Sequence, residues 1–424
     1  MATSSPLLAL PGAVAGLPDS PDVGVAWHYG DPFAEQRAAA AGVAVVDRSH
    51  RPVLAISGAE RLSWLHTITS QHIANLGDGE SAESLDLDGN GRVLHHFVLT
   101  DLDEVAWLDT EPASGRPLLD YLRKMVFWAK AEPRDAHSEL AVLSLLGPAV
   151  ATVLPALGLA ELPPLYRAAP VDRGGFLRRM PAFGPIDRFD LLVPRDELRE
   201  RWDALAAAGA TPAGSWSFEA LRTAALVPRA GVDTDDRTIP HEVGWIGGVA
   251  EQGAVHLDKG CYRGQETVAR VHNLGKPPRH LVLLHLDGSA DGRPVTGDQV
   301  LATARAGDRA GTVGDQLLAP ARAGVRAGTV GDQVPAAARA DGRPVTGDQV
   351  LATARADGRV GTVVDHYELG PIAAALVKRT VAADTALTAG PCAAAIDPDS
   401  IPAHDGVQAG RLAVERLRGI PGRS

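Results

Sequence analysis

The sequence predicts an α+β fold of several domains that ends in a small β-barrel. Three observations carry this. At 424 residues the chain is too long for one ordinary hydrophobic core, so two or three domains are expected. Up to residue 276, β-branched runs and amphipathic stretches mix without strict alternation, which excludes a doubly wound parallel sheet. After Pro277 the composition turns rich in Gly, Thr and Val, with few helical stretches. The predicted divisions are a disordered leader over 1–24, two interleaved α+β domains over 25–276, a barrel over 277–396 and a flexible tail over 397–424.

The elements follow in chain order. Residues 7–17 form an apolar run without a preceding basic residue and interrupted by Pro11 and near its end by Pro18, so it reads as a leader rather than a secretory signal. Val43 to Ile56 carries short β-branched runs and predicts strands. Gly58 to Thr67 reads as an amphipathic helix, with Leu62, Trp64 and Leu65 towards a core. Asn90-Gly91 is a tight-turn pair that joins a strand ending near Asp86 to one over 93–99. Leu118 to Trp128 predicts a helix, Leu140 to Leu146 a strand, and Pro194-Arg195-Asp196 the start of a helix that ends near Ala208. A further helix spans 219–226, and His280 to Leu286 opens the barrel.

Composition narrows the function. The net charge of −11 argues against direct nucleic-acid binding. No run of about 18 apolar residues is present to span a membrane. Two cysteines, Cys261 and Cys392, make no disulfide framework and fit a reduced cytoplasmic setting. Nor can they supply the four thiolates of a stable iron–sulfur cluster. His95-His96 is no metal pair, because neighbours on a strand point to opposite faces. No nucleophile elbow, Walker loop or dinucleotide fingerprint occurs.

Residues 290–306 recur identically at 340–356, and Arg-Ala-Gly-Thr-Val-Gly-Asp-Gln stands at both 309–316 and 326–333. Solenoid repeats diverge while keeping a hydrophobic pattern. Identical copies point instead to a tandem duplication of the coding sequence, with an insert of about 291–340. Its removal would join Ala290 to Asp341 and leave one continuous barrel sequence, with one copy filling the barrel and the rest bulging out.

The segment Asp258-Lys259-Gly260-Cys261-Tyr262-Arg263-Gly264-Gln265-Glu266 concentrates the reactive chemistry. A thiol reacts as its thiolate, which neighbouring cations and a helix N-terminus both stabilise. Lys259 and Arg263 are the charge partners, Tyr262 can stack or donate, and Gln265 and Glu266 are polar ligand contacts. Arg270 stands seven positions after Arg263, the spacing of one helical face. The alternatives are a buried, inert Cys261 and a solvated basic face.

Lys-Gly-Cys-Tyr-Arg-Gly-Gln-Glu over 259–266, followed by Thr267-Val268-Ala269-Arg270, resembles the signature of the YgfZ family, folate-binding relatives of the glycine-cleavage T-protein. Pro228 to Asp233, Thr238 to Glu242 and Glu368 to Ala373 resemble flanking stretches of that family, and the resemblance covers about residues 25–400 apart from the insert. It implies a T-protein-like multi-domain fold and a central cavity that faces the Cys261 loop and binds tetrahydrofolate. It also implies support of iron–sulfur cluster assembly or repair, with client enzymes that include those methylthiolating tRNA. Arg222 resembles a family arginine, although the Glu-Ala-Gly triplet that follows it there is replaced by Ala224-Ala225-Leu226. Trp245 is a candidate aromatic wall for a pterin.

Two departures bear on catalysis. The aminomethyltransferase pair of aspartates falls at His95-His96, and its Gly-Glu pterin contact at Gly184-Pro185, for which Asp187 or Asp190 could compensate. A protonated imidazole repels a developing cation where a carboxylate would stabilise it. The expectation is therefore an accessory folate-binding protein that acts through Cys261. A folate-dependent one-carbon transferase and a non-catalytic folate-sensing scaffold are the alternatives.

Overall fold

The computed structural model describes residues 4–302 and 356–402. Six α-helices lie among them: α1 (Pro32–Ala41), α2 (Arg61–Ile68), α3 (Gly115–Met125), α4 (Leu198–Ala207), α5 (Ser215–Ala224) and α6 (Gln265–Leu274). A six-stranded sheet runs in the order Ala168–Pro170, Phe176–Phe183, Ile186–Pro194, Leu140–Leu146, Ala44–Asp47, Thr211–Ala213, antiparallel apart from the last pair. A five-stranded antiparallel sheet runs Ser81–Leu87, Val93–Leu102, Val105–Thr110, Val53–Ser57, Glu132–Asp135. All of the second sheet lies in sequence between Ala44–Asp47 and Leu140–Leu146, which pair side by side in the first. The two sheets are thus interleaved along the chain.

Local chemistry explains the framework. Leu-Ala-Val-Leu-Ser-Leu-Leu over 140–146 is buried at every position, as a strand covered on both faces must be. The α2 helix buries Trp64 and Leu65 and α3 buries Leu118, Leu119 and Leu122 against Leu54, Ile56, Phe97 and Leu99 of the five-stranded sheet. Gly91, at φ +74°, makes the predicted turn between Ser81–Leu87 and Val93–Leu102.

The final domain is a closed barrel of Arg279–Leu286, Gly370–Lys378, Gly358–His366, Gln299–Ala302, Leu387–Ala389 and Cys392–Ile396. Strand Gln299–Ala302 belongs to the first copy of the duplicated sequence, and Gly358–His366 begins just after the second. The bulging part of the expected insert, and the tail beyond Pro402, lie outside the described residues. No helix among the described residues is long and apolar enough to cross a membrane.

The expectation of a disordered leader is corrected. Ser5 caps a 3-10 turn over Pro6–Ala9, Val14–Ala15 pairs with Ala26–His28, and Leu7 is fully buried in a cluster with Trp202 and Leu205. The two prolines that suggested disorder end short elements instead of preventing packing.

Because 341–352 repeat 291–302 residue for residue, deletion of 291–340 restores the same strand to the barrel. The shortened protein is expected to unfold cooperatively within about 3 °C of the full-length midpoint in a calorimetric scan. Loss of the cooperative transition would show that the barrel needs the removed copy.

Candidate functional site

The candidate residues separate onto two sides of one wall. Strands Ser81–Leu87 and Val93–Leu102 alternate their side chains: Glu83, His96 and Val98 line a central cavity, while Phe97 and Leu99 pack with α2 and α3. His95 lies opposite Asp86 on the paired strand. His95 and His96 therefore face apart, as strand geometry requires.

The cavity is small, about 50 Å³, and is walled by Phe183, Phe218 and Trp245 together with charged side chains. His96 stacks on Trp245 with ring centroids 4.9 Å apart and 5° between planes, and its Nε2 lies 2.8 Å from Glu83 Oε2. The Tyr166 hydroxyl donates to Glu83 Oε1 at 3.0 Å. Around this pair runs a buried ion network. Arg229 donates to both oxygens of Asp22 at 2.9 and 3.0 Å and to Glu111 Oε2 at 2.7 Å, and lies 3.1 Å from Glu219 Oε1. Arg222 bonds Glu219, Asp233 and the barrel hydroxyl of Thr362. Arg51 bonds Asp109 and Glu111, and Arg178 reaches Asp109 and Asp190. Burial raises the pKa of Asp22 and Glu111, yet Arg229, joined by His50 at Asp22 and by Arg51 and Arg48 at Glu111, more than offsets it and holds both carboxyls far below their ordinary range.

Arg222 and Trp245 thus do reach the cavity, though Arg222 is committed to its neighbours. Asp190 and Asp187 do not take over a pterin contact. Asp190 is buried among Arg178, Arg188 and Ser144, and Asp187 pairs with Arg179. Arg48, Arg51, Glu83, Glu111, Arg188 and Arg229 line the cavity without having been singled out as ligand contacts from the sequence. Asp47-Arg48-Ser49-His50-Arg51 was the available signal: five polar residues wedged between two apolar strands.

The Cys261 loop contributes none of the residues that line this cavity. Cys261 is exposed, so it is not an inert core residue; Cys392 is the buried cysteine. Lys259 turns its charge into the protein. It is 95 % buried, and its ammonium donates to the carbonyls of His66, Thr69 and Gln71, closing the C-terminal end of α2. That burial pushes the lysine down to about 8. Tyr262 turns inward, joins Trp245, Leu85 and Leu87 in one apolar cluster and leaves its hydroxyl buried without a partner. The loop and the cavity therefore share a wall but not a space.

Gly264, at φ +83°, starts α6, and a Cβ there would stand 2.5 Å from the Asp88 carbonyl of the hairpin turn. Gln265 returns its side-chain amide to the Lys259 carbonyl at 3.2 Å and so braces the loop. Glu266 and Arg270 are exposed on α6. Arg263 precedes the helix, so helical spacing does not place it on one face with Arg270. It acts electrostatically on Asp86. Among the described residues, no group of three or more His, Cys, Asp or Glu is placed to hold a metal ion.

Asp86 is 1 % exposed with Oδ1 unpartnered, and burial raises its pKa to about 7 against the opposing pull of Arg263 and Tyr121. The folded state thus holds this proton more tightly than the unfolded chain. Its contribution to stability is complete below about pH 4 and is lost as pH rises through 7. Asp86→Asn is expected to abolish that loss and to be more stable than wild type at pH 8, by on the order of 2 kcal/mol in urea titrations. Parallel pH profiles for the two proteins would contradict the assignment.

Known proteins resemble the chain as follows. The GCVT N-terminal domain family matches residues 26–250, more than half of the chain. A putative chloroplastic transferase of Arabidopsis thaliana is 27% identical over 266 residues, covering 61% of this chain and 60% of that protein's length. The aminomethyltransferase of Synechococcus sp. strain CC9311 is 26% identical over 278 residues, 62% of this chain and 73% of its own. Among solved structures, the glycine cleavage system aminomethyltransferase T of Bartonella henselae superposes with a TM-score of 0.69 at 18% identity, over 93% of this chain and 96% of that one. That likeness establishes the T-protein-like fold.

Proposed function

The chain belongs to the GCVT N-terminal domain family, and from that premise we propose that it is a reduced-folate-binding accessory protein that sustains iron–sulfur enzymes through Cys261. The observation that carries this reading is the separation just described. An exposed thiol sits on a braced loop, while His95-His96 stand where the resemblance puts the aminomethyltransferase pair of aspartates, with His96 stacked on Trp245.

The cavity lining has the residue types a reduced folate needs. Trp245 and Phe218 offer aromatic faces, and Arg48 and Arg188 offer guanidinium donors for carboxylates or a ring carbonyl. At about 50 Å³ it is smaller than a ring system, so binding one requires the lining to rearrange. When bound, tetrahydrofolate supplies nitrogens that accept a one-carbon unit. The protein's part is to exclude water with Phe183 and Phe218 and to fix orientation through the arginines.

Cys261 has the separate task. With one exposed cysteine the described chain is suited to holding an iron or sulfur species in transit as a single thiolate ligand, not to owning a four-thiolate cluster. The clients of this reading are iron–sulfur enzymes, among them those that methylthiolate tRNA.

A second reading, one-carbon transfer to folate, draws on one feature: Glu83 presents a carboxylate to the cavity beside His96.

Complementation separates the two. In cells lacking the protein, the wild-type chain is expected to restore tRNA methylthiolation and Cys261→Ala to leave it at least fivefold lower at equal protein level. Equal rescue would remove the thiol from the function. Formation of methylene-tetrahydrofolate from an aminomethyl donor, with release of ammonia, by the purified protein would favour the second reading.

A further inference from the structure

Two donors in the central cavity are left without acceptors. Arg48 Nη1 and Arg188 Nε are buried with no hydrogen-bond partner, and both residues line the cavity. Both guanidinium groups lie over the Phe218 ring, at 3.9 and 5.8 Å from its centroid, which brings them to one place. Asp190, the carboxylate beside them, is already used. Its Oδ1 accepts from Ser144 at 2.7 Å, and its Oδ2 from Arg188 at 2.9 Å and Arg178 at 3.3 Å, leaving Arg48 at 3.9 Å. Glu83, Glu111 and Glu219 are taken by His96 and Tyr166, by Arg51 and Arg229, and by Arg222 and Arg229.

Buried donors are nearly always satisfied, so two in one cavity mark the position of an absent acceptor. Burial is the main cause that lowers the Arg48 pKa to about 9, and Arg51 and Arg188 add to it against the pull of Asp190 and Glu111. The space, about 50 Å³, holds roughly three waters or the three heavy atoms of a carboxylate group.

We propose that Arg48 and Arg188, over the face of Phe218, form a binding site for a carboxylate. Two donors from two guanidinium groups suit its two oxygens, one each. The ligand is a small free monocarboxylate or the carboxylate arm of a larger molecule such as a folate glutamate. The inference rests on the reading of this cavity as the ligand chamber, and its test keeps the two apart.

Sodium formate is the probe, with sodium chloride at matched ionic strength as control. In wild-type protein, formate is expected to raise the unfolding midpoint saturably above chloride, and [13C]formate to show saturable line broadening. Arg48→Lys keeps a cation in the network but loses the second nitrogen, and is expected to weaken formate at least tenfold. Identical behaviour in formate and chloride would overturn the site, and the wild-type measurement alone decides this even if the variant folds poorly. Tetrahydrofolate is titrated in parallel. Competition with formate assigns the carboxylate to the folate arm; independent binding of both assigns it to a free monocarboxylate. Folate binding without a formate effect sinks this site alone, and a formate effect without folate binding sinks the folate reading alone.

Discussion

The structure hangs on Arg229. The residue is 95 % buried, and its guanidinium meets Asp22 from the N-terminal segment, Glu111 just past the central strand Val105–Thr110 of the five-stranded sheet and Glu219 from α5. Asp233, four residues on, accepts from the Arg229 backbone and ties Arg222 and the barrel residue Thr362 into the same network. Four parts of the chain therefore close on one set of charges. Buried pairs of this kind contribute little relative to apolar packing, but removing one partner strands the others at a cost of about 3–5 kcal/mol. What the network contributes is specificity: it fixes how sheets, helix and barrel meet, and the gap left at their meeting is the cavity.

The same closure explains why cavity and thiol are separate. The hairpin Ser81–Leu102 is a partition. Its inner face carries Glu83 and His96, and its turn supports Gly264 from below through the Asp88 carbonyl. Lys259 pins the loop to the end of α2, and Tyr262 plugs the apolar cluster behind Trp245. Cys261 is held outward by residues that are themselves rigidly buried. The shared cluster of Trp245, Leu85, Leu87 and Tyr262 connects the cavity wall to the loop.

Much of the scaffold was legible because its causes are local. The Asn90-Gly91 turn, the apolar strand Leu140–Leu146 and the helix around Trp64 each follow from a short pattern. The barrel was legible from composition. The site was less so, because its charge pairs are non-local: Arg229 and Asp22 stand 207 residues apart. Lys259 was read as a partner for the thiol from adjacency, yet its four-carbon stem carries the charge to carbonyls about 190 residues away in sequence. The leader was misread because its two prolines signal breaks, while the single side chain of Leu7 decides that it packs. Asp86 gave no signal, since its neighbours Tyr121 and Arg263 come from distant parts of the chain.

The central claim is that ligand chamber and thiol are distinct sites on either side of one wall. Its most direct test is tetrahydrofolate affinity by calorimetry before and after alkylation of Cys261 with iodoacetamide, with Cys392 protected by its burial. The account predicts the same Kd within about twofold. Abolished binding after alkylation would place the thiol in the chamber and contradict the separation.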